Sequence, residues 1–264
     1  MKAKVDYQKT EDLFDLKNKI TLIFGIGGIG SNFARAFAEN GTKLIAADID
    51  EKALQQLKED LETQNLKVET YKMDVTKKSD IEAVVNKVVK EFGGIDVFIN
   101  TSGIAINQKA VEFREEDVDR ILDINLKGTI LGCQLVGQAM VKQGKGKIIN
   151  IGSIGGHMTH TLGSMPYAAS KAGVHQVTRS FAGELAKDGV NVNAIAPSWV
   201  NTPMMKGKSK SYYESISKNT PFGRMLYPEE LIGTAIFLAT DSSNFITGQT
   251  IFVDGGWSTV KPAA

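Results

Sequence analysis

Ile20-Thr21-Leu22-Ile23-Phe24-Gly25-Ile26-Gly27-Gly28-Ile29-Gly30 is the stretch that decides the fold. A mostly apolar run of strand length enters a G-x-G-x-x-G loop. The loop opens onto 31–40, where Phe33, Ala34, Phe37 and Ala38 recur at helical spacing. Strand, glycine turn and helix therefore follow in that order. Glycines at these places let the backbone turn tightly and approach a pyrophosphate, which would rest on the helix N-terminus. A strand–helix turn without a ligand could use the same residues, so the loop needs support from the rest of the chain.

The same alternation continues outward. Asn40 and Gly41 stop the first helix. Strands are predicted at 43–48, 68–73, 97–100, 147–151, 190–195 and 250–253. Helices are predicted at 51–62, 79–92, 115–141, 168–186 and 229–239, the third of these interrupted in character by Gly128 and Gly132. Short buried strands separated by amphipathic helices predict an α/β chain. The expected architecture is one doubly wound parallel sheet of about seven strands with helices on both faces, a single domain over 1–264. Only 198–228, rich in Lys, Ser, Met and Tyr, breaks the pattern; a stretch of that length reads as a lid over a substrate.

The net charge of +1 excludes a dominant nucleic-acid or acidic-membrane surface. Cys133 is the only cysteine, so no internal disulfide can form and a reducing compartment is expected. The first 19 residues are polar and carry no apolar signal core, and no apolar run is long enough to cross a bilayer. The expected location is the cytoplasm.

Asp48 ends the second strand, close to the spacing of an acid that bonds the adenosine ribose hydroxyls. A carboxylate there repels a 2′-phosphate, and the glycine loop contains no Arg or Lys, so NAD is the expected cofactor. An ordinary turn acid before Ile49-Asp50 is the competing reading. Asp74 could reach an adenine edge or cap the next helix. Tyr167 and Lys171 stand one helical turn apart on one face, and Ser153 ends the fifth strand, where parallel sheets meet ligands. An ammonium beside the phenol would lower its pKa toward a working acid/base. Taken alone, Y-x-x-x-K reads better as a solvated helix face.

Together these pieces resemble the short-chain dehydrogenase/reductase family, from Leu16 to Trp257. The matching motifs are the glycine loop, Asp74-Val75, Asn100-Thr101-Ser102-Gly103, Asn125, Ser153, Tyr167-Ala168-Ala169-Ser170-Lys171, Pro197 and Asp254-Gly255-Gly256. The resemblance implies a Rossmann-type fold with Tyr167 as acid/base, Lys171 lowering its pKa and binding the nicotinamide ribose, and Ser153 orienting the carbonyl. It implies Asn125 holding a relay water and Val200 and Thr202 contacting the carboxamide. The implied cofactor site is Gly25, Gly27, Gly28, Ile29, Gly30, Asp48, Asp74, Val75, Asn100, Gly103, Tyr167, Lys171, Pro197, Val200 and Thr202. This sequence departs from the family pattern in three ways. Phe24 replaces a Thr and one residue is missing between Gly25 and Gly28, which demands a tighter turn. Thr101-Ser102 stands in N-N-A-G, and Ser198 replaces a Gly.

The expected activity is hydride transfer between NAD(H) and a small polar alcohol or ketone: a sugar, polyol or keto-sugar acid. A 3-oxoacyl-(acyl-carrier-protein) reductase is the alternative enzyme, opposed by Asp48. A catalytically silent NAD-binding regulator is the alternative of another class, opposed by the intact Ser153, Tyr167 and Lys171. His157, Thr159, His160, Thr161 and Ser164 are expected to line the substrate pocket, with Asn107, Lys206 and Lys208 opposite. No metal is expected, because His157 and His160 lack a third ligand. A homotetramer is expected, with Gly128, Gly132 and Gly137 permitting close helix approach between subunits.

Overall fold

Along β1 (Ile20–Phe24), Leu22 and Phe24 point to one face of the sheet and Ile23 to the other, and all three are fully buried. The same two-sided burial recurs in β2 (Lys43–Asp48), with Leu44 and Ala46 on one face and Ile45 and Ala47 on the other. Strands buried on both faces need helices on both faces. The computed structural model, which describes residues 9–158 and 163–259, provides them. β3 (Val68–Lys72), β4 (Val97–Asn100), β5 (Gly146–Ile151), β6 (Val190–Pro197) and β7 (Thr250–Val253) complete one parallel sheet of seven strands. Its order is 3-2-1-4-5-6-7, so the chain reverses direction across the sheet between β1 and β4. Ligands bind beyond the carboxyl ends of strands at such a switch point.

After a short turn of helix, α1 (Thr10–Leu13), the first core layer is built by α2 (Gly28–Glu39), α3 (Glu51–Glu62) and α9 (Ile232–Ala239) through Phe33, Phe37, Leu57 and Leu238. The opposite layer is built by α4 (Lys78–Phe92), α6 (Gly128–Gln143) and α7 (Met165–Leu185), with Ile81, Val85, Val136 and Ala182 inward. Phe24 and Phe98 meet edge to face beneath α6, with ring centroids 4.7 Å apart. Each such side chain contributes roughly 1.5–3 kcal/mol by leaving water.

Three sequence expectations change here. The helix expected over 115–141 is α5 (Glu115–Leu122), one wide π turn (Asp123–Lys127) and α6, so the break precedes Gly128. Gly128, Gly132 and Gly137 serve packing inside the subunit. A Cβ on them would stand 3.2 Å from Val75, 3.2 Å from Phe98 and 3.1 Å from Leu185, respectively. The stretch 198–228 is not irregular throughout. It contains a turn at Pro203–Met205 and α8 (Lys210–Asn219), whose one buried residue, Ile216, left too little periodicity to read. Among the described residues no helix is long and apolar enough to cross a membrane.

Candidate active site

The carboxyl ends of β1 through β6 open onto a cleft of about 1220 Å³. Its floor is the glycine loop. Gly25 takes φ +83°, and a Cβ there would lie 2.7 Å from the Ser102 amide nitrogen. Only glycine fits that turn. Gly27, by contrast, faces open space: a Cβ on it meets nothing within 4 Å. No side chain caps α2 at this end. Its first amides are therefore available to an anion.

The shortened loop is held from both sides. Asp48 Oδ2 accepts the Ile26 amide at 2.5 Å, and its Oδ1 accepts the Asp50 amide at 2.9 Å. Both readings of Asp48 thus hold at once: it closes a turn, and it lines the cleft. From β4, the Thr101 hydroxyl donates to the Gly25 carbonyl at 2.6 Å. Sequence reasoning missed this role, although the departure from N-N-A-G marks the position. Asp74 lines the cleft but does not cap α4, whose N-cap is Lys77. Its carboxylate instead accepts the Thr76 amide at 3.0 Å and hydroxyl at 2.7 Å.

Asn125 lies in the π turn, fully buried. Its side chain pairs with the Ile104 amide (2.8 Å) and carbonyl (2.9 Å) and donates to Ser170 Oγ. Its carbonyl accepts the Thr129 hydroxyl, which in turn accepts from Asn100. A π turn releases the regular carbonyl ladder at one point, a common device beside functional groups. The cleft itself is lined by Gly25, Ile26, Gly27, Gly28, Ile29, Gly30, Val75, Gly103, Pro197, Val200 and Thr202. Asn100 and Asn125 stand behind that wall.

Ser153, Tyr167 and Lys171 converge on the cleft. α7 begins with Pro166 in its first turn, which places Tyr167 at the mouth and Lys171 one turn deeper. Lys171 Nζ donates to the Ile151 carbonyl at 2.7 Å and stands 5.7 Å from the Tyr167 ring centroid. Burial lowers its pKa to about 8. Burial also raises the Tyr167 phenol above its ordinary value, and a hydrogen bond with Ser153 opposes that rise. The sequence-based expectation of a lowered tyrosine is corrected here: in the protein alone, burial of the phenolate raises the value, and the hydrogen bond with Ser153 offsets that only in part. His175 is buried, and its pKa is lowered to about 4, first by burial and then by the Lys171 charge. The neutral ring faces the Ser153 amide, 3.4 Å from Nε2, and supports the strand end.

Only part of the expected substrate wall faces the cleft. Ser164, Asn107 and Lys208 line the cleft, joined by Trp199, Met205 and Tyr212 from the expected lid stretch and by Arg120, which sequence reasoning did not single out. His157 turns away from it, exposed, with its ring 5.0 Å from that of Phe252. Lys206 is also absent from the lining. Thr159, His160 and Thr161 lie outside the described residues.

A family model described as Enoyl-(Acyl carrier protein) reductase matches residues 25–258. The 3-oxoacyl-(acyl-carrier-protein) reductase FabG of Thermotoga maritima is 40% identical over 242 residues, 91% of this chain and 98% of its own. Galactitol 2-dehydrogenase of Agrobacterium fabrum is 37% identical, covering 91% and 98% of the two chains. Among solved structures, a gluconate 5-dehydrogenase from Burkholderia cenocepacia in complex with NADP and tartrate is 31% identical. It superposes with a TM-score of 0.90 over 95% of this chain and 99% of that one.

Proposed function

This chain belongs to the short-chain dehydrogenase/reductase family, an oxidoreductase family, and on that premise we propose that it moves a hydride between NAD(H) and a small polar alcohol or ketone: a sugar, polyol or keto-sugar acid. The observation that carries the cofactor choice is Asp48. Its carboxylate stands on the cleft at the end of β2, where a 2′-phosphate would meet a negative charge, and Ile26 and Ile29 bring no cation to the loop. The glycine loop fits a dinucleotide, because Gly27 leaves room and the uncapped α2 offers amides to a pyrophosphate.

Bound nicotinamide supplies the hydride in carbonyl reduction and accepts it in alcohol oxidation. In reduction, Ser153 donates a hydrogen bond to the substrate oxygen and Tyr167 donates the proton that completes the alcohol. The buried Lys171 ammonium, once protonated, favours the phenolate that remains. In oxidation the phenolate takes that proton back. Asn125 holds the wall behind the relay through Ile104 and Ser170. Val200 and Thr202, on the cleft wall after Pro197, would face the carboxamide.

Identity to FabG favours a second reading, reduction of a 3-oxoacyl thioester. Absorbance of the reduced nicotinamide, followed with NADH and NADPH against keto-sugar acids, ketoses, polyols and short 3-oxoacyl thioesters, separates the two. Turnover confined to thioesters with NADPH would reject the reading proposed here. We also infer a homotetramer built on α6 and α7, where Ile130 and Met165 stay exposed; sedimentation of the purified protein as a monomer would reject it.

A further inference from the structure

The substrate lid carries three lysines, Lys206, Lys208 and Lys210, and they differ sharply in placement. Lys210 pairs with Glu214 at 3.6 Å. Lys206 does not line the cleft, whereas Lys208 does. Gly207, at φ +84°, turns the chain just before Lys208, and Ser209 caps α8 just after it by accepting the Tyr212 amide. α8 is tied back to the lid turn by the Tyr213 hydroxyl, which donates to the Met205 carbonyl at 2.7 Å. Lys208 is thus a defined position between two anchored pieces.

Its ammonium lies 5.4 Å from the Tyr212 ring centroid, and that ring also lines the cleft. An aromatic face steadies a cation while leaving its N–H groups free to donate. Among the described residues no carboxylate pairs with Lys208. The acids that line the cleft belong to other elements than the lid. Asp48, Asp50 and Asp74 lie at the β2–β3 end, and Glu116, Asp119 and Asp123 on α5 and the π turn. The lining residues from β5 to α8 include, among those described, no acid and two cations, Lys171 and Lys208, while Arg120 lines the cleft from the helix that carries Glu116 and Asp119. Lys171 is engaged with Ile151. Lys208 is therefore the lid's cation on the cleft wall that no carboxylate pairs among the described residues, and it is held on an aromatic ring.

We propose that Lys208, carried on Tyr212, is the specificity residue of this site and binds the carboxylate of a polyhydroxylated keto acid. The proposal rests on the sugar-type reading above and narrows it to acids over neutral ketoses and polyols. A phosphate on a carrier-linked thioester would satisfy the same ammonium, and the test separates the two.

The experiment compares kcat/KM with NADH for 5-keto-D-gluconate and the neutral ketose D-fructose, in the unmodified enzyme, Lys208→Met and Lys208→Arg. Methionine keeps length and removes charge. The acid-over-neutral ratio should fall roughly 10–100-fold in Lys208→Met, through KM, and recover in Lys208→Arg. A lid that merely collapsed would lose both substrates together and leave the ratio unchanged. In the unmodified enzyme, raising salt should lower the ratio without any substitution, because a partly exposed ion pair is screened. Sugar turnover with a ratio indifferent to Lys208→Met and to salt overturns the Lys208 assignment and leaves the sugar reading standing. Turnover of 3-oxoacyl thioesters alone overturns both.

Discussion

Asp48 Oδ2 accepts the Ile26 amide at 2.5 Å, joining the end of β2 to the floor of the glycine loop across 22 positions of sequence. One carboxylate therefore shapes the loop and repels a 2′-phosphate, and the two duties can be separated by substitution. Asp48→Asn keeps an acceptor for Ile26 and removes the charge, while Asp48→Ala removes both. NAD-over-NADP discrimination in kcat/KM should narrow in both variants. Affinity for NAD itself should drop further in Asp48→Ala, by about tenfold, the worth of a hydrogen bond to a charged group. If the unmodified enzyme prefers NADP, the proposed role of Asp48 fails.

The Thr101 hydroxyl holds the Gly25 carbonyl from the other side at 2.6 Å. Thr101→Val keeps the shape and leaves that carbonyl without its donor. NAD binding, titrated by fluorescence, should weaken about 5–10-fold, and Tm should fall by about 2–4 °C for roughly 1 kcal/mol. Thr101→Ser should recover both. Unchanged binding in Thr101→Val would show that the shortened loop needs no clamp.

Tyr167→Phe keeps the ring and removes the transferable proton. Turnover should fall by about 10²–10⁴-fold while NAD binding stays near that of the unmodified enzyme. With the phenol raised by burial, its proton is in place throughout neutral pH. Carbonyl reduction should then be level through neutral pH. It should decline above about 8, where Lys171 loses the proton whose charge favours the phenolate product. A reduction profile that peaks in acid and falls before pH 7 would contradict this assignment.

Far from the cleft, the start of β5 buries a second lysine. Lys147 Nζ donates to Asn191 Oδ1 at 2.9 Å and Asn244 Oδ1 at 2.8 Å, and burial lowers its pKa to about 8, with Asp241 opposing and Lys19 assisting the shift. Between pH 8 and the ordinary lysine value of 10.5 the unfolded chain keeps a proton that the folded chain has shed. Stability from this group therefore rises with pH in that window, by at most about 1.4 kcal/mol per pH unit. Lys171 acts in the same sense. Above pH 10 the raised Tyr71 and Tyr167 act in the opposite sense, so urea unfolding is best compared at pH 8 and 9.5. The rise should be smaller in Lys147→Met; equal rises in both proteins would show that Lys147 does not titrate in this range.

Local chemistry determined much of this protein by itself. Short, mostly apolar runs such as Ile20–Phe24 and helical spacing at Phe33, Phe37, Val84 and Val88 are carried by neighbours in sequence, so strand order along the chain and the layered α/β architecture were legible there. That Tyr167 and Lys171 share one helix face was legible for the same reason, being one helical turn apart, but as a site they were legible only through the resemblance carried by the surrounding motifs. Tertiary structure alone decided the rest. Thr101 reaches Gly25 across 76 positions, the α6 glycines pack against Val75, Phe98 and Leu185, and His157 turns to Phe252 instead of the cleft. None of these partners lies within reach of a local pattern. The sense of the Tyr167 shift belongs with them. Sequence places a lysine near the phenol, but how much water the phenol loses depends on every element packed around it, and here that loss raises its pKa.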